Sequence, residues 1–129
     1  MQTISVSCQV FPSEDPEKVK LALLNIFPGA ALEADERTIA AKPADMAHFG
    51  EQIRRQRILD TARSVMMKGR RGERSVFHLN KQAAYAGKIS FVEEKTILGT
   101  IKVAIEAEDI TAFIEMFAPQ TVDGEEVRT

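Results

Sequence analysis

Side chains that could bind a metal ion or carry out nucleophilic catalysis are few and widely spaced in this sequence. The two histidines, His48 and His78, lie thirty residues apart, and the single cysteine, Cys8, is distant from both. Zinc sites usually draw on Cys or His pairs separated by about two to five residues, and no such pair occurs. No serine stands in the glycine-framed turn of a hydrolase, and no phosphate loop ends in a lysine and a hydroxyl. We therefore expect no catalytic residues, no metal and no cofactor, and a protein that is not an enzyme.

Basic side chains offer a different chemistry, and they are concentrated in one part of the chain. Residues 54–74 include eight basic residues and two acids, a local charge of +6, although the whole chain carries −2. Residues 103–127 hold seven acids and no lysine or arginine. A planar guanidinium can hold two phosphate oxygens at once, so a fold that gathers the basic segment on one side predicts a basic patch that contacts nucleic-acid phosphates. The arginines expected to take part are Arg54, Arg55, Arg57, Arg63, Arg70 and Arg71.

The stretch "LNKQAAYAGKISF", residues 79–91, contains the only tyrosine of the chain together with polar residues and small neighbours. A tyrosine ring can stack on an unpaired base. The alanines and the glycine suit a close-packed connection between two strands, so we assign them to packing. The side chains that remain for RNA contact, if the fold brings them beside the arginines, are Lys81, Gln82, Tyr85 and Lys88.

The spacing of apolar residues predicts the elements that must position these side chains. Strict alternation indicates strands near residues 4–10, 75–79, 88–92 and 101–105, the last two pairing as a hairpin across "EEKTILG". A helix is expected after Asp15, which can cap it, with Pro16 in its first turn, and another from residue 110 to Pro119. Two short alanine-rich runs, "AALEA" and "TIAA", suggest a further hairpin.

Between residues 44 and 68 the pattern is helical but contains two apolar stripes. Met46, Phe49 and Ile53 define one stripe, and the stripe that begins at Ile58 lies about half a turn away from it at roughly 100° per residue. One straight helix cannot bury both stripes against the same sheet. We therefore predict a break near residues 54–57, which would place the arginines at a joint between two helices.

The resulting order of elements predicts an α+β fold. Helices are grouped rather than alternating with strands, and several strands are amphipathic, so we expect a two-layer sandwich in which helices pack on one face of an antiparallel or mixed sheet. Residues 1–119 are expected to form a single domain, followed by a flexible acidic tail at 120–129. The first residues alternate and lack the pattern of a signal peptide, and no apolar run could span a membrane, so we expect a cytoplasmic protein.

The segments "RRQRILDTAR", "LNKQAAYAGKISF" and "LGTIKVAIEAED", with "PSEDPEKVKLALLNIFPGA" near the start, resemble the signature of an uncharacterised archaeal family. That family is catalogued as RNA-binding and is related to predicted exosome-associated proteins. The resemblance covers nearly the whole chain. It implies a fold similar to the large-subunit ribosomal protein that binds five-S rRNA, and RNA as the partner.

Two functions remain open at this point. The first is a non-catalytic RNA-binding protein that recognises structured RNA mainly through phosphate contacts from the basic joint and loop. The alternative is a protein-interaction or assembly module, either a homodimer or a subunit of an RNA-processing or ribosome-related complex, in which basic and acidic faces meet. The weakening of RNA binding by salt distinguishes them.

Overall fold

The computed structural model describes residues 3–92 and 100–119, together with the residue pairs 121–122 and 125–126. Helices and strands occur in a mixed order. In chain order they are β1 (Thr3–Gln9), α1 (Pro16–Ile26), β2 (Ala31–Ala34), β3 (Thr38–Lys42), α2 (Ala47–Arg55), α3 (Leu59–Lys68), β4 (Arg70–Arg71), β5 (Arg74–Leu79), α4 (Lys81–Tyr85), β6 (Phe91–Val92), β7 (Ile101–Glu106), α5 (Ile110–Phe117), β8 (Thr121–Val122) and β9 (Glu125–Glu126).

Local sequence signals account for the start of α1 and for the division between α2 and α3. The carboxylate of Asp15 accepts the N–H of Glu17 at 3.0 Å, and Pro16 occupies the first helical position, where a missing N–H does no harm. The predicted break is confirmed, because α2 ends at Arg55 and α3 begins at Leu59. Arg57, within the break, has a φ of 58°. This left-handed conformation turns the chain so that the apolar stripes of both helices face the same core.

Seven strands form one antiparallel sheet in the order β2-β3-β1-β7-β5-β4, and β6 also pairs with β5. The register places Val6 of β1 opposite Val103 of β7, and Val103 opposite Phe77 of β5. These three side chains are buried in the core, and alternation along each strand points their chain neighbours to the other face of the sheet. The expected α+β fold with an antiparallel sheet and helices is confirmed.

One predicted pairing is wrong. β6 was expected to form a hairpin with β7, but it pairs with β5, His78 lying opposite Val92 and Leu79 opposite Phe91. The reason is that β7 already pairs with β1 on one side and with β5 on the other, so both of its edges are occupied. The segment "EEKTILG", residues 93–99, lies outside the described residues. The alanine-rich hairpin, by contrast, is present as β2 and β3.

A single apolar core joins the helical layer to the sheet. Phe49 of α2 lies near its centre, with ring centroids 6.1 Å from Phe27, 5.8 Å from Phe77 and 6.3 Å from Phe91. Cys8 of β1 is buried in the same core as predicted, and burial raises the pKa of its thiol. Within the described ranges no helix is long and apolar enough to cross a lipid bilayer. The predicted tail falls on residues 120–129, in which β8 pairs with β9 and the remaining positions lie outside the described residues.

Candidate nucleic-acid interface

A glutamine in the break between α2 and α3 ties this joint to the segment that follows α4. The side-chain amide nitrogen of Gln56 donates to the carbonyl oxygen of Ile89 at 2.8 Å, and its amide oxygen accepts the N–H of Ile89 at 2.8 Å. The same amide oxygen of Gln56 also accepts a hydrogen bond from the side-chain amide nitrogen of Gln52, a buried residue, at 2.7 Å. The segment around Ile89 is therefore held directly against the helix joint.

This clamp brings together three of the basic residues predicted from the sequence. Arg55 and Arg57 flank Gln56 in the chain, and Lys88 directly precedes Ile89. All three side chains are exposed, and none forms a hydrogen bond or ion pair with another residue in the described part of the chain. We call Arg55, Arg57 and Lys88 the joint surface.

Arg54 and Arg63 were predicted in the same group, but their guanidinium groups face the end of α5. Arg54 Nη1 donates to the carbonyl oxygens of Gly50 at 2.9 Å and of Phe117 at 3.4 Å. Arg63 donates through Nη1 to the carbonyl oxygen of Ala118 at 3.3 Å, and its Nη2 lies 2.9 Å from Glu115 Oε1. The last carbonyl groups of a helix lack partners inside the helix and carry partial negative charge, so these two arginines stabilise the C-terminal end of α5.

Arg70 and Arg71 lie at the opposite end of α3, in β4. Arg70 Nε donates to the carbonyl oxygen of Met67 at 3.0 Å and its Nη1 bonds Thr111 Oγ1 at 2.6 Å. Arg71 Nη1 donates to the carbonyl oxygens of Arg70 at 2.6 Å and Lys68 at 3.3 Å. Both side chains remain exposed. Because the ten residues of α3 rise by about 15 Å, the predicted arginines divide into two separate groups rather than one patch.

Lys81, also predicted to contact RNA, is buried at 3% exposure. Its ammonium donates to the carbonyl oxygen of Gln9 at 2.9 Å and to both carboxylate oxygens of Glu14 at 3.0 and 3.2 Å. It also lies 5.1 Å from the centroid of the Phe11 ring. Burial raises the pKa of the Glu14 carboxyl, but the backbone N–H of Phe11 and the ammonium of Lys81 outweigh this and hold that pKa below its usual range. Lys81 therefore anchors α4 to the loop after β1.

Tyr85 and Gln82 occupy different environments on α4. The Tyr85 hydroxyl donates to Glu14 Oε2 at 3.4 Å, and its ring packs against the core. Burial, followed by the nearby Glu14 carboxylate, raises the pKa of the Tyr85 phenol. Gln82 is exposed. Of the four residues predicted in this stretch, Gln82 and Lys88 face solvent, whereas Lys81 and Tyr85 are tied to Glu14.

Gln56 is the functional residue that sequence reasoning missed. It lies within the run "RRQRILDTAR", where the arginines predict phosphate contacts and a neutral amide predicts none. The available signal was its position between the two apolar stripes, since a polar residue at a helix break is free to bond a distant backbone. Within residues 3–92 and 100–119, no group of three or more His, Cys, Asp or Glu side chains could hold a metal ion.

Comparison with known proteins assigns this chain to a family. Residues 3–107 match the family model described as RNA binding. The chain is 40% identical to a UPF0201 protein from Thermococcus kodakarensis over 130 residues, covering 95% of this chain and 94% of that protein. It is 38% identical to a UPF0200/UPF0201 protein from Archaeoglobus fulgidus, of whose length it spans 40%.

Solved structures show the same fold. The crystal structure of a UPF0201 protein from Methanococcus jannaschii is 38% identical and superposes with a TM-score of 0.90 over 99% of this chain and 100% of that one. A DUF54 protein from Methanothermobacter thermautotrophicus, at 22% identity and a TM-score of 0.60, shares the fold alone. By the match over residues 3–107 and by these relatives, the chain belongs to the archaeal RNA-binding family that includes the UPF0201 proteins.

Proposed function

We propose that the protein is a non-catalytic RNA-binding protein that recognises structured RNA through phosphate contacts from the joint surface. The observation that carries this proposal is the pair of hydrogen bonds between Gln56, whose chain neighbours are Arg55 and Arg57, and Ile89, whose chain neighbour is Lys88. Each of these three basic residues is therefore a direct chain neighbour of one of the two residues that the hydrogen bonds hold together. Their side chains have no partners among the described residues, so binding phosphate breaks no ion pair within that part of the chain.

The aromatic residues favour recognition of RNA shape over stacking on an extended single strand. Six of the seven phenylalanines lie in the core or pack against it, and the Tyr85 ring packs there too. Structured RNA is recognised mainly through its shape and its phosphate and ribose groups. Arg70 and Arg71 form a second basic group about 15 Å away that adds phosphate contacts to an RNA long enough to reach it.

We also propose that the fold is similar to that of the ribosomal protein that binds five-S rRNA, and that the partner is a ribosomal or processing RNA. The assembly alternative loses part of its support, because two of the basic residues that suggested it pair with acids of the same chain. Arg63 bonds Glu115 at 2.9 Å, and Arg74 lies 3.8 Å from Glu106.

A salt titration of RNA binding tests the proposal. The wild type and an Arg55→Ala/Arg57→Ala variant are titrated against a structured RNA and a scrambled one, with Lys18→Ala/Lys42→Ala as a control that removes the same charge from exposed sites on α1 and β3. We expect tighter binding of the structured RNA by the wild type. The joint variant should bind more weakly, and the slope of log K against log salt should fall by about 2 in magnitude.

Two outcomes contradict the proposal. One is a folded joint variant whose RNA affinity and salt slope match those of the control. The other is a wild type that retains neither RNA at low salt but forms a salt-sensitive dimer, which would favour the assembly function.

A further inference from the structure

A groove of about 850 Å³ lies between the loop that follows β1 and the turn that joins β2 to β3. Hydrogen bonds fix both sides of this groove. The N–H of Val10 donates to the carbonyl oxygen of Arg37 at 2.7 Å. The Asp35 carboxylate accepts the N–H groups of Arg37 at 2.9 Å and Thr38 at 2.8 Å. The groove is therefore preformed rather than a gap between loosely held loops.

The apolar side of the groove contains the one phenylalanine that stands apart from the core. Val10, Phe11, Pro12 and Pro16 line it. The other phenylalanines belong to the core or pack on it, whereas Phe11 is partly exposed and borders the groove. The N–H of Phe11 donates to Glu14 Oε1 at 3.0 Å, and the ammonium of Lys81 lies 5.1 Å from the ring centroid. The first contact fixes the backbone at Phe11, and the second packs an ammonium against the ring, which remains partly exposed for a planar ligand.

The polar side of the groove provides one cation and one carboxylate that are exposed. Arg37 and Glu36 both line the groove, and neither side chain has a hydrogen bond or ion pair with another described residue. The guanidinium of Arg37 is complementary in charge to a phosphate group. A carboxylate such as that of Glu36 can accept hydrogen bonds from the exocyclic amino group of a base.

We propose that this groove binds a single unpaired nucleotide of the same RNA that contacts the joint surface, with its base stacked on Phe11 and its phosphate on Arg37. The inference rests on the proposed RNA-binding function. α4 links the two sites, because Lys81 at its start bonds Glu14 of the groove and Lys88 follows its end at the joint. This segment spans about 10 Å, so a base that leaves the stack next to a bound helix can reach the groove.

The test uses two hairpin RNAs with the same stem, one with a single-nucleotide bulge and one fully paired. Phe11→Leu keeps an apolar side chain but removes the ring, and Arg37→Ala removes the cation. We expect Phe11→Leu to weaken binding of the bulged hairpin by about five- to 150-fold and to leave binding of the paired hairpin unchanged. Arg37→Ala should act on the same RNA, whereas Lys42→Ala, at the other end of β3, should not distinguish the two.

Photocrosslinking gives a second measurement that does not depend on a variant. A 4-thiouridine at the bulge should crosslink to the peptide that contains Phe11. Crosslinks confined to the peptides of the joint surface, or equal affinities of the wild type for both hairpins, would overturn the groove while leaving the proposed function in place. If the wild type retains neither hairpin, both inferences fail.

Discussion

The side chain of Gln56 bonds both the N–H and the carbonyl oxygen of Ile89, each at 2.8 Å, across 33 residues of sequence. A primary amide presents a donor and an acceptor side by side, so it reproduces the pairing that a neighbouring strand would give. The clamp satisfies two backbone groups that no strand reaches and holds the two halves of the candidate interface together.

Replacing Gln56 with alanine should both destabilise the fold and weaken RNA binding. The backbone groups of Ile89 lose their partners, which we expect to lower the free energy of unfolding by about 1–3 kcal/mol. Urea denaturation and RNA titration of the same preparation measure the two effects. Gln82→Ala is the matched control, because Gln82 is an exposed glutamine on α4. Equal stability of Gln56→Ala and the control would show that the clamp contributes nothing.

Arg57→Gly should raise stability while lowering RNA affinity. A left-handed conformation costs a non-glycine residue about 1–2 kcal/mol, and glycine removes that cost. The greater freedom of glycine in the unfolded chain offsets about 0.4–1 kcal/mol of the stability gained. With φ at 58°, we expect a net increase of about 0.5–1 kcal/mol. Thermal and urea denaturation check the sign. Arg55→Gly, at the last residue of α2, should instead destabilise, and a less stable Arg57→Gly would refute the strain argument.

Arg63→Met and Arg55→Met should have opposite effects. Arg63 bonds Glu115 and the carbonyl oxygen of Ala118, so its loss should lower the free energy of unfolding by about 1–3 kcal/mol and leave RNA affinity close to that of the wild type. Arg55 has no such contacts among the described residues, so its loss should weaken RNA binding without a change in stability. A stronger effect of Arg63→Met on RNA binding in the folded protein would reverse this assignment.

The Glu14 carboxyl should make stability depend on pH. Its pKa is lower in the folded protein than in the unfolded chain, so the unfolded chain binds the proton more tightly. The contribution of Glu14 is therefore present above the unfolded value of about 4.3 and is lost as the pH falls through the folded pKa. Glu14→Gln should be less stable than the wild type at pH 7, and the difference should shrink below about pH 4.

Urea denaturation between pH 7 and pH 3 measures this difference directly. Glu33→Gln, an exposed change on β2, should follow the wild-type curve throughout. A difference between wild type and Glu14→Gln that stays constant over the whole range would mean that the Glu14 charge contributes nothing.

Gly69→Ala should disrupt the hairpin that presents Arg70 and Arg71. A Cβ at Gly69 would collide with the backbone carbonyl oxygen of Val76, and that strand bonds back to Gly69. We expect a loss of at least about 2 kcal/mol in the free energy of unfolding, because neither backbone can move away without breaking the pairing of β5. Gly72→Asn, at the hairpin turn with a φ of 62°, is the milder comparison. A Gly69→Ala variant with the same free energy of unfolding as the wild type would mean that the hairpin backbone can move enough to accommodate the methyl group.

The sequence predicted the elements that alternate or repeat over several residues. Ile4, Val6 and Cys8 reveal β1 because every second side chain must face the helices, and the two stripes of residues 44–68 reveal the helix break for the same reason. The helix α4 was missed because its five residues, capped by Asn80, are too few to show a period. Short elements depend on contacts outside their own sequence.

The partners of individual charged residues could not be predicted. Glu115 lies 52 residues from Arg63, and Glu14 lies 67 residues from Lys81, so neither pair leaves a local pattern. The small residues that follow Lys81 in the sequence predict an exposed lysine. It is the fold of α4 against the loop after β1 that buries it. Counting charges along a chain therefore identifies the basic residues, but it does not identify which of them remain available to bind a ligand.

The position of α5 has a practical consequence for the design of fragments. The family match ends at residue 107, whereas α5 begins at Ile110. A protein shortened to the matched region would leave the guanidinium group of Arg63 without Glu115 and without the carbonyl oxygen of Ala118, beside the apolar surface that Phe113 and Ile114 now cover. Such a fragment would attract polyanions through an arginine that the intact protein keeps occupied, and this added affinity for RNA would be an artefact of truncation.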